Sequence, residues 1–523
     1  MKKFLLLHCL ISAVLFTQGQ ITFQKMYGGT SDDRAYWMEK TIGGGYIIAG
    51  STNSFGAGGK DIYLIKTNNN GDTLWTKTYG MAGDEQAWSV RQLQGGGYIM
   101  AGYTNSTGAG GLDVYLLKTD ANGNLIWAKT FGGTSVEDGF SVEETNDRGY
   151  ILAGATESFG SGLFDVYVIK TDSAGTMQWA KTYGDTLNDY GQTIHQTTDG
   201  GYIIGGSTGS FGAVGSDAYL IKTDSAGGVL WSKTFGGVGN DYTYSVQQLS
   251  SGGYILCGQT TSFGAGMNDL YLIRTDSVGN LVWSKTYGGT NNDYGYTVEQ
   301  LSSGGFIIGG LTTSFTGGGA YIIKTDGSGT LSWSKAIGRR GYDLAYSVLP
   351  TSDGGYVIGG YTDTLGTGAN YNFYLIKTDS TGAAGGCNES SPNTITSSPA
   401  TQSATVTTKV LSVNTITSPP VPAVHSGGTA TTLCSVILDV NKPEEKSNPS
   451  VYPNPTTGNF IISLNKNVSE GQVDIYNILG ENVGRWKLQN GHEITLSLQA
   501  AKGIYIVRVW DGERQYLQKL ILK

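Results

Sequence analysis

The 523-residue sequence predicts an all-β chain: a seven-bladed β-propeller closed by its N-terminal strand, followed by a small immunoglobulin-like β-sandwich. Three observations carry that expectation. Tryptophans recur at Trp75, Trp127, Trp179, Trp231, Trp283 and Trp333, spaced 52, 52, 52, 52 and 50 residues apart, and a fixed period of this length marks stacked supersecondary units. Each period holds four alternating apolar-polar runs separated by glycine-rich turns, which is one four-stranded blade. Glycine (81) and tyrosine (32) are abundant while charged residues make up 15%, as tight turns and half-buried pleated surfaces require.

The chain begins Met1-Lys2-Lys3, continues with the apolar run FLLLHCLISAVLF and reaches small residues at Thr17-Gln18-Gly19. This pattern predicts a secretory signal peptide over 1–19, cleaved before Gln20; the apolar run is too short to span a bilayer comfortably. The copy between Asp241 and Gly289 shows one blade: YTYSVQQL, a GG turn, YILCGQTT, the loop SFGAGMN, DLYLIRT, the turn DSVG and NLVWSKTY. The third-strand motif occurs seven times, ending at Lys66, Lys118, Lys170, Lys222, Arg274, Lys324 and Lys377, but no tryptophan strand follows the last copy. The missing strand is ITFQKMYGG, which places Phe23 52 residues before Trp75. It is expected to complete the seventh blade as its outermost strand and so remove the open sheet edges of an unclosed array.

In IRTDSVGNLVW (Ile273 to Trp283) the aspartate suits a tight turn, the glycine a positive φ, and the tryptophan a site between neighbouring blades. This run resembles the tryptophan-docking repeat of quinoprotein-like propellers. The resemblance implies that Phe23, Trp75, Trp127, Trp179, Trp231, Trp283 and Trp333 are inter-blade joints and not cofactor sites. It covers Asp33 to Asp379.

The propeller is expected over 20–386. Residues 387–447 are rich in Ser, Thr and Pro and read as a semi-extended linker or loosely packed extension. Cys387 and Cys434 flank that stretch, and a disulfide between them suits an oxidising compartment; Cys257 reads as a small buried thiol.

From 448 to 523 the chain forms a small β module. It resembles the type A C-terminal sorting domain of the Bacteroidetes type IX secretion system through Pro453, Asn454, Pro455 and Gly458, the hairpin Tyr476, Gly480 and Val483, the strand Gly503 and Tyr505, and the terminal Lys519 to Lys523. The resemblance implies passage across the outer membrane, contact with the secretion machinery, removal of the domain by a sortase-like protease, and a destination at the cell surface or in the medium.

No catalytic constellation emerges. His195 is the only histidine in the repeats and reads as a hydrogen-bonded interior or channel-edge residue, so a triad or a histidine-based zinc site is hard to assemble. The net charge of −8 and the lack of a basic run exclude a general nucleic-acid partner. One regularity stands out: an acid ten residues after each anchor aromatic, at Asp33, Glu85, Glu137, Asp189, Asp241, Asp293 and Asp343. It falls in the loop entering each blade, on the same face as Asp61, Asp113, Asp165, Asp217 and Asp269. Two readings stay open. The acids tie down backbone amides or the repeated lysines (Lys25, Lys77, Lys129, Lys181, Lys233, Lys285 and Lys335), or some of them bind Ca²⁺ or a cationic partner. The sequence therefore points to a secreted binding or adhesion module for a glycan or protein. The alternatives are an extracellular enzyme of the quinoprotein-like or polysaccharide-degrading kind, which needs an unrepeated polar cluster near the channel, and a purely structural surface protein.

Overall fold

The computed structural model describes residues 21–522 apart from 316–317, 339–341, 364–369, 386–388, the segments between strands in 401–449, and 453, 455, 478–480 and 512–514. The predicted signal peptide lies outside these residues. Residues 1–438 and 439–523 form two compact units.

The first unit is a closed ring of seven sheets. Blade one comprises Asp33–Lys40, Tyr46–Thr52, Asp61–Thr67 and Thr73–Gly80, and the same four-strand meander recurs through blades two to six. Second and third strands such as YIIGGST and DAYLIKT are buried along their whole length, because each sheet is covered on both faces by its neighbours; hence the runs of Ile, Leu, Val and Tyr. Thr22–Tyr27 pairs antiparallel with Asn372–Thr378, Phe23 opposite Lys377, so the N-terminal strand completes blade seven.

That strand is the fourth of its blade, not the outermost. The segment read as a linker supplies a fifth strand to every blade. Glu389–Ser390 pairs with blade six, Ile395–Ser397 with five, Gln402–Thr405 with four, Lys409–Ser412 with three, Ile416–Ser418 with two, Ala423–His425 with one and Ala430–Val436 with seven. The belt thus circles the ring in reverse blade order, and after a first step of six residues its strands start every seven. Its physical role is to pair the edge that each fourth strand would otherwise expose. Pro392 and Pro399 fall between belt strands, where no ladder N–H is needed. The propeller unit accordingly runs beyond 386, to 438.

In the second unit the long strands Asn459–Tyr476 and Asn482–Ser497 form an antiparallel hairpin. Its first half carries Ser450–Tyr452 and its second half Gly503–Trp510, which pairs with Gln515–Leu522. The register of the hairpin shifts between Ser463 and Val468. Phe460, Ile462, Val473, Ile475, Val507, Val509 and Leu520 form the core of this unit.

Candidate functional site: the axial channel

The innermost strands of the seven blades neighbour one another in a closed ring. Each carries a β-bulge at the same place, three residues after its ring acid: Tyr36, Trp88, Phe140, Gln192, Tyr244, Tyr296 and Tyr346. A bulged residue leaves the strand's alternation and is re-aimed. Here all seven, with Trp37, line one cavity of about 400 Å³. The rings lean on one another: Tyr36 on Trp88 at 4.4 Å, Tyr296 on Tyr346 at 4.6 Å, Tyr244 on Tyr296 at 5.5 Å and Trp88 near Phe140 at 6.0 Å. Gln192 is the one break in this aromatic collar. At its rim the Trp88 indole N–H donates to Asp138, 2.9 Å from each carboxylate oxygen. Desolvation outweighs that bond and pushes Asp138 up to about 7.

Three residues further along each strand lies a second ring: Glu39, Arg91, Glu143, His195, Gln247, Glu299 and Leu349. Arg91 approaches Glu39 at 3.8 Å, and His195 Nδ1 meets Glu143 at 2.9 Å. Burial raises the Glu299 carboxyl above its ordinary range; at Glu143 burial is outweighed by the combined bond and charge of His195, the charge of Arg91 and the Gln196 amide, and the carboxyl is lowered. Cavities of about 450 and 230 Å³ open among these side chains. Trp37 lines both the aromatic cavity and the larger polar one, with the Arg91 guanidinium 4.7 Å over its ring. The equivalent position is Ser or Thr in every other blade (Ser89, Ser141, Thr193, Ser245, Thr297 and Ser347). Trp37 is therefore the unrepeated floor of the collar. The polar ring is also unrepeated, and aligning the blades on the ring acid would have exposed both rings.

The seven ring acids are buried. They gather hydroxyls and amides: Asp241 accepts from Gly237 N (2.9 Å) and Ser262 Oγ (2.6 Å), Asp293 from Gly289 N (2.8 Å) and Thr312 Oγ1, Glu137 from Gly133 N (2.6 Å) and Thr156 Oγ1 (2.8 Å). Asp33, Glu85 and Asp189 bond in the same manner; Asp343, at 2% exposure, lies against Gly338. The repeated lysines reach elsewhere, Lys25 to Asp72, Lys181 to the Ala226 carbonyl and Lys335 to Ser391 of the belt. Among the described residues no group of three His, Cys, Asp or Glu gathers as a metal site would need.

Each third-strand aspartate faces the ring acid of the next blade across one glycine. An added Cβ at Gly236 would stand 1.9 Å from Asp217 Oδ1 and 2.6 Å from Asp241 Oδ2. Burial first, then the neighbouring ring acid's charge, pushes Asp165, Asp217 and Asp269 up to about 6. Blade seven has Asn372 in place of the aspartate, beside Asp33. A pKa raised above its unfolded value of 3.8 makes the folded state bind the proton more tightly. Stability is then greatest below pH 4 for these groups and falls as pH rises through 6. Against their burial, Asp147 and Asp199 are held at about 2 by hydrogen bonds that include Lys170 and Lys222, and their contribution is lost as pH falls towards 2. The melting temperature is therefore expected to rise from pH 8 to pH 5 and to drop below about pH 3.5. Asp217→Asn should raise it at pH 8 and not at pH 4.5; thermal melts check both.

Trp75 packs on Tyr98 (6.0 Å) and over Gly123 of the next blade's turn, and Trp127, Trp179, Trp231, Trp283 and Trp333 repeat the contact on Tyr150, Tyr202, Tyr254, Phe306 and Tyr356. Phe23 lies over Gly71. Cys257 is buried, which pushes its thiol up. Cys434 belongs to the last belt strand, whereas Cys387 lies outside the described residues.

In the second unit Asn454 Oδ1 accepts from Ile521 N at 2.9 Å, Gly458 takes φ 127°, the Tyr505 hydroxyl donates to the Ala501 carbonyl at 2.5 Å, and Arg508 lies 4.9 Å over Tyr476. Gly503 opens a strand in which Ile506 pairs with Lys519. Pro453, Pro455, Gly480 and Lys523 lie outside the described residues. Residues 450–523 match the family model of the secretion system C-terminal sorting domain. The C-terminal module is a type IX sorting domain. It marks the chain for export to the cell surface or the extracellular space, and it is the part that engages the secretion machinery.

A 154-residue stretch is 29% identical to the regulatory protein FlaEY of Caulobacter vibrioides, covering 25% of this chain and 16% of that protein's length. Among solved structures, Sqt1 from Chaetomium thermophilum is 11% identical at a TM-score of 0.38, covering 65% of this chain and 82% of that one. A fungal alcohol oxidase of the AA5 family, in complex with copper, is 9% identical at 0.39, covering 97% and 100%.

Proposed function

We propose that this exported propeller is a binding module that holds a glycan or protein ligand at the collar end of its channel. The observation that supports the reading is the repeated bulge, which spends strand regularity in all seven blades to aim one side chain each, six of them aromatic, into a shared cavity. Aromatic clusters of this kind dominate recognition energy in ligand pockets. Glycan arrays and pull-downs with the exported protein test it. Trp88→Ala is expected to weaken the retained ligand by about 1–3 kcal/mol; unchanged retention, or no ligand in either format, counts against the role. Removal of the sorting domain by a sortase-like protease belongs to the same reading, and intact-mass analysis of the surface form checks it.

A second reading draws on the unrepeated polar ring. Glu299, raised by burial, and Glu143, lowered beside His195, have the opposed proton affinities that acid–base work needs. Release of reducing ends from polysaccharides by the wild type, abolished in Glu299→Gln, would favour an enzyme.

A further inference from the structure

We propose that the aromatic collar receives the terminal sugar of a neutral glycan, end-on along the propeller axis; this rests on the binding role above and names its ligand. The cavity of about 400 Å³ falls in the range of small-ligand sites and suits one or two pyranose rings. It is walled on every side by a blade and floored by Trp37, so a chain can enter by its end but cannot lie across it.

The seven collar residues carry no formal charge. They carry the Gln192 amide and four tyrosine hydroxyls, of which Tyr36's also meets Arg34 and Ser51 and Tyr346's meets Tyr361, among aromatic rings whose remaining faces take the C–H side of a sugar. Neighbouring rings partly cover one another, Tyr296 on Tyr346 at an interplanar angle of 21° and 4.6 Å, which leaves the hydroxyls, the amide and the remaining ring faces to meet a ligand.

The wall is also lopsided. In blades four, five and six a tyrosine stands one residue after the ring acid; Tyr190 of blade four stacks on Phe164 at 5.5 Å, whereas those of blades five and six stack on collar tyrosines. Tyr242 stacks on Tyr244 at 6.5 Å and 14°, and Tyr294 on Tyr296 at 6.2 Å and 16°. These parallel planes extend the collar on one side only, beside the gap at Gln192, and give the following sugar a surface to lie against.

The test is calorimetric titration of the exported protein with neutral gluco- and manno-oligosaccharides of about one to six units, the same oligomers ending in a uronic acid, and tetramethylammonium. Saturable binding of a neutral series is expected, with affinity levelling off by about the third unit because only the chain end is enclosed. Tyr296→Ala, which empties the collar, and Gln192→Trp, which fills it, should each lower affinity at least about tenfold while the melting temperature stays within a few degrees.

Affinity that keeps growing to six units overturns end-on binding. Preference for the acidic oligomers or for tetramethylammonium, silence across all the sugars, or indifference to Gln192→Trp overturns the neutral-sugar assignment. A purified protein ligand that is lost with Tyr296→Ala would leave the binding role standing without the sugar. If no ligand of any class responds to Tyr296→Ala, both fall.

Discussion

Gly236→Ala is expected to cost about 3 kcal/mol or more and to lower the melting temperature by roughly 3–5 °C. The glycine closes the fourth strand of blade four between two buried carboxylates, and the new methyl would stand 1.9 Å from Asp217 Oδ1 and 2.6 Å from Asp241 Oδ2. Neither acid can swing away freely: Asp217 Oδ2 accepts from Ala213 N at 2.6 Å and Asp241 Oδ2 from Gly237 N and Ser262 Oγ. Relaxation must therefore break a loop hydrogen bond beside a buried charge. Thermal melts at pH 5 and pH 8 check the effect. A loss below about 0.5 kcal/mol would mean that the pair is looser than its hydrogen bonds indicate.

The second large effect concerns the belt. A chain of residues 21–386 is expected to melt at least about 10 °C below one of residues 21–438, and to self-associate where the longer chain stays monomeric. Each belt strand contributes a few backbone hydrogen bonds, net on the order of 1 kcal/mol apiece. Removing seven strands uncovers seven sheet edges at once. Scattering detection during size-exclusion chromatography separates the outcomes, and equal melting of the two chains would reduce the belt to an ornament of the ring.

The seven-fold repeat was readable because each blade must solve the same problem. An apolar period of two, a turn aspartate and glycine, and an anchor aromatic are all local demands, and locally demanded residues recur at fixed spacing. Closure by the strand around Phe23 was readable for the same reason, since the missing member of a counted set has one place to go. The belt was opaque to this reasoning. Its strands span two to seven residues and take their order from backbone pairing with blades far away in the chain, so Gln402–Thr405 needs no hydrophobic face of its own, and Ser, Thr and Pro there look the same as in an unstructured linker.

The ring acids show the limit from the other side. Their spacing announced that something repeats, but only packing tells that Asp241 turns its Oδ2 to Gly237 N and Ser262 Oγ, while Lys233 reaches Asn280. The collar was one alignment away: Tyr36, Trp88, Phe140, Gln192, Tyr244, Tyr296 and Tyr346 all stand three places after those acids. Alternation alone assigns such residues to one face of a strand. The bulge that turns them into a common cavity is a register shift between two strands, and register is a property of a pair. Strand count, blade count and the export module are written in local chemistry along the chain. The belt, the collar and its Trp37 floor exist only where distant strands meet, because backbone pairing and ring closure decide which side chains share a space.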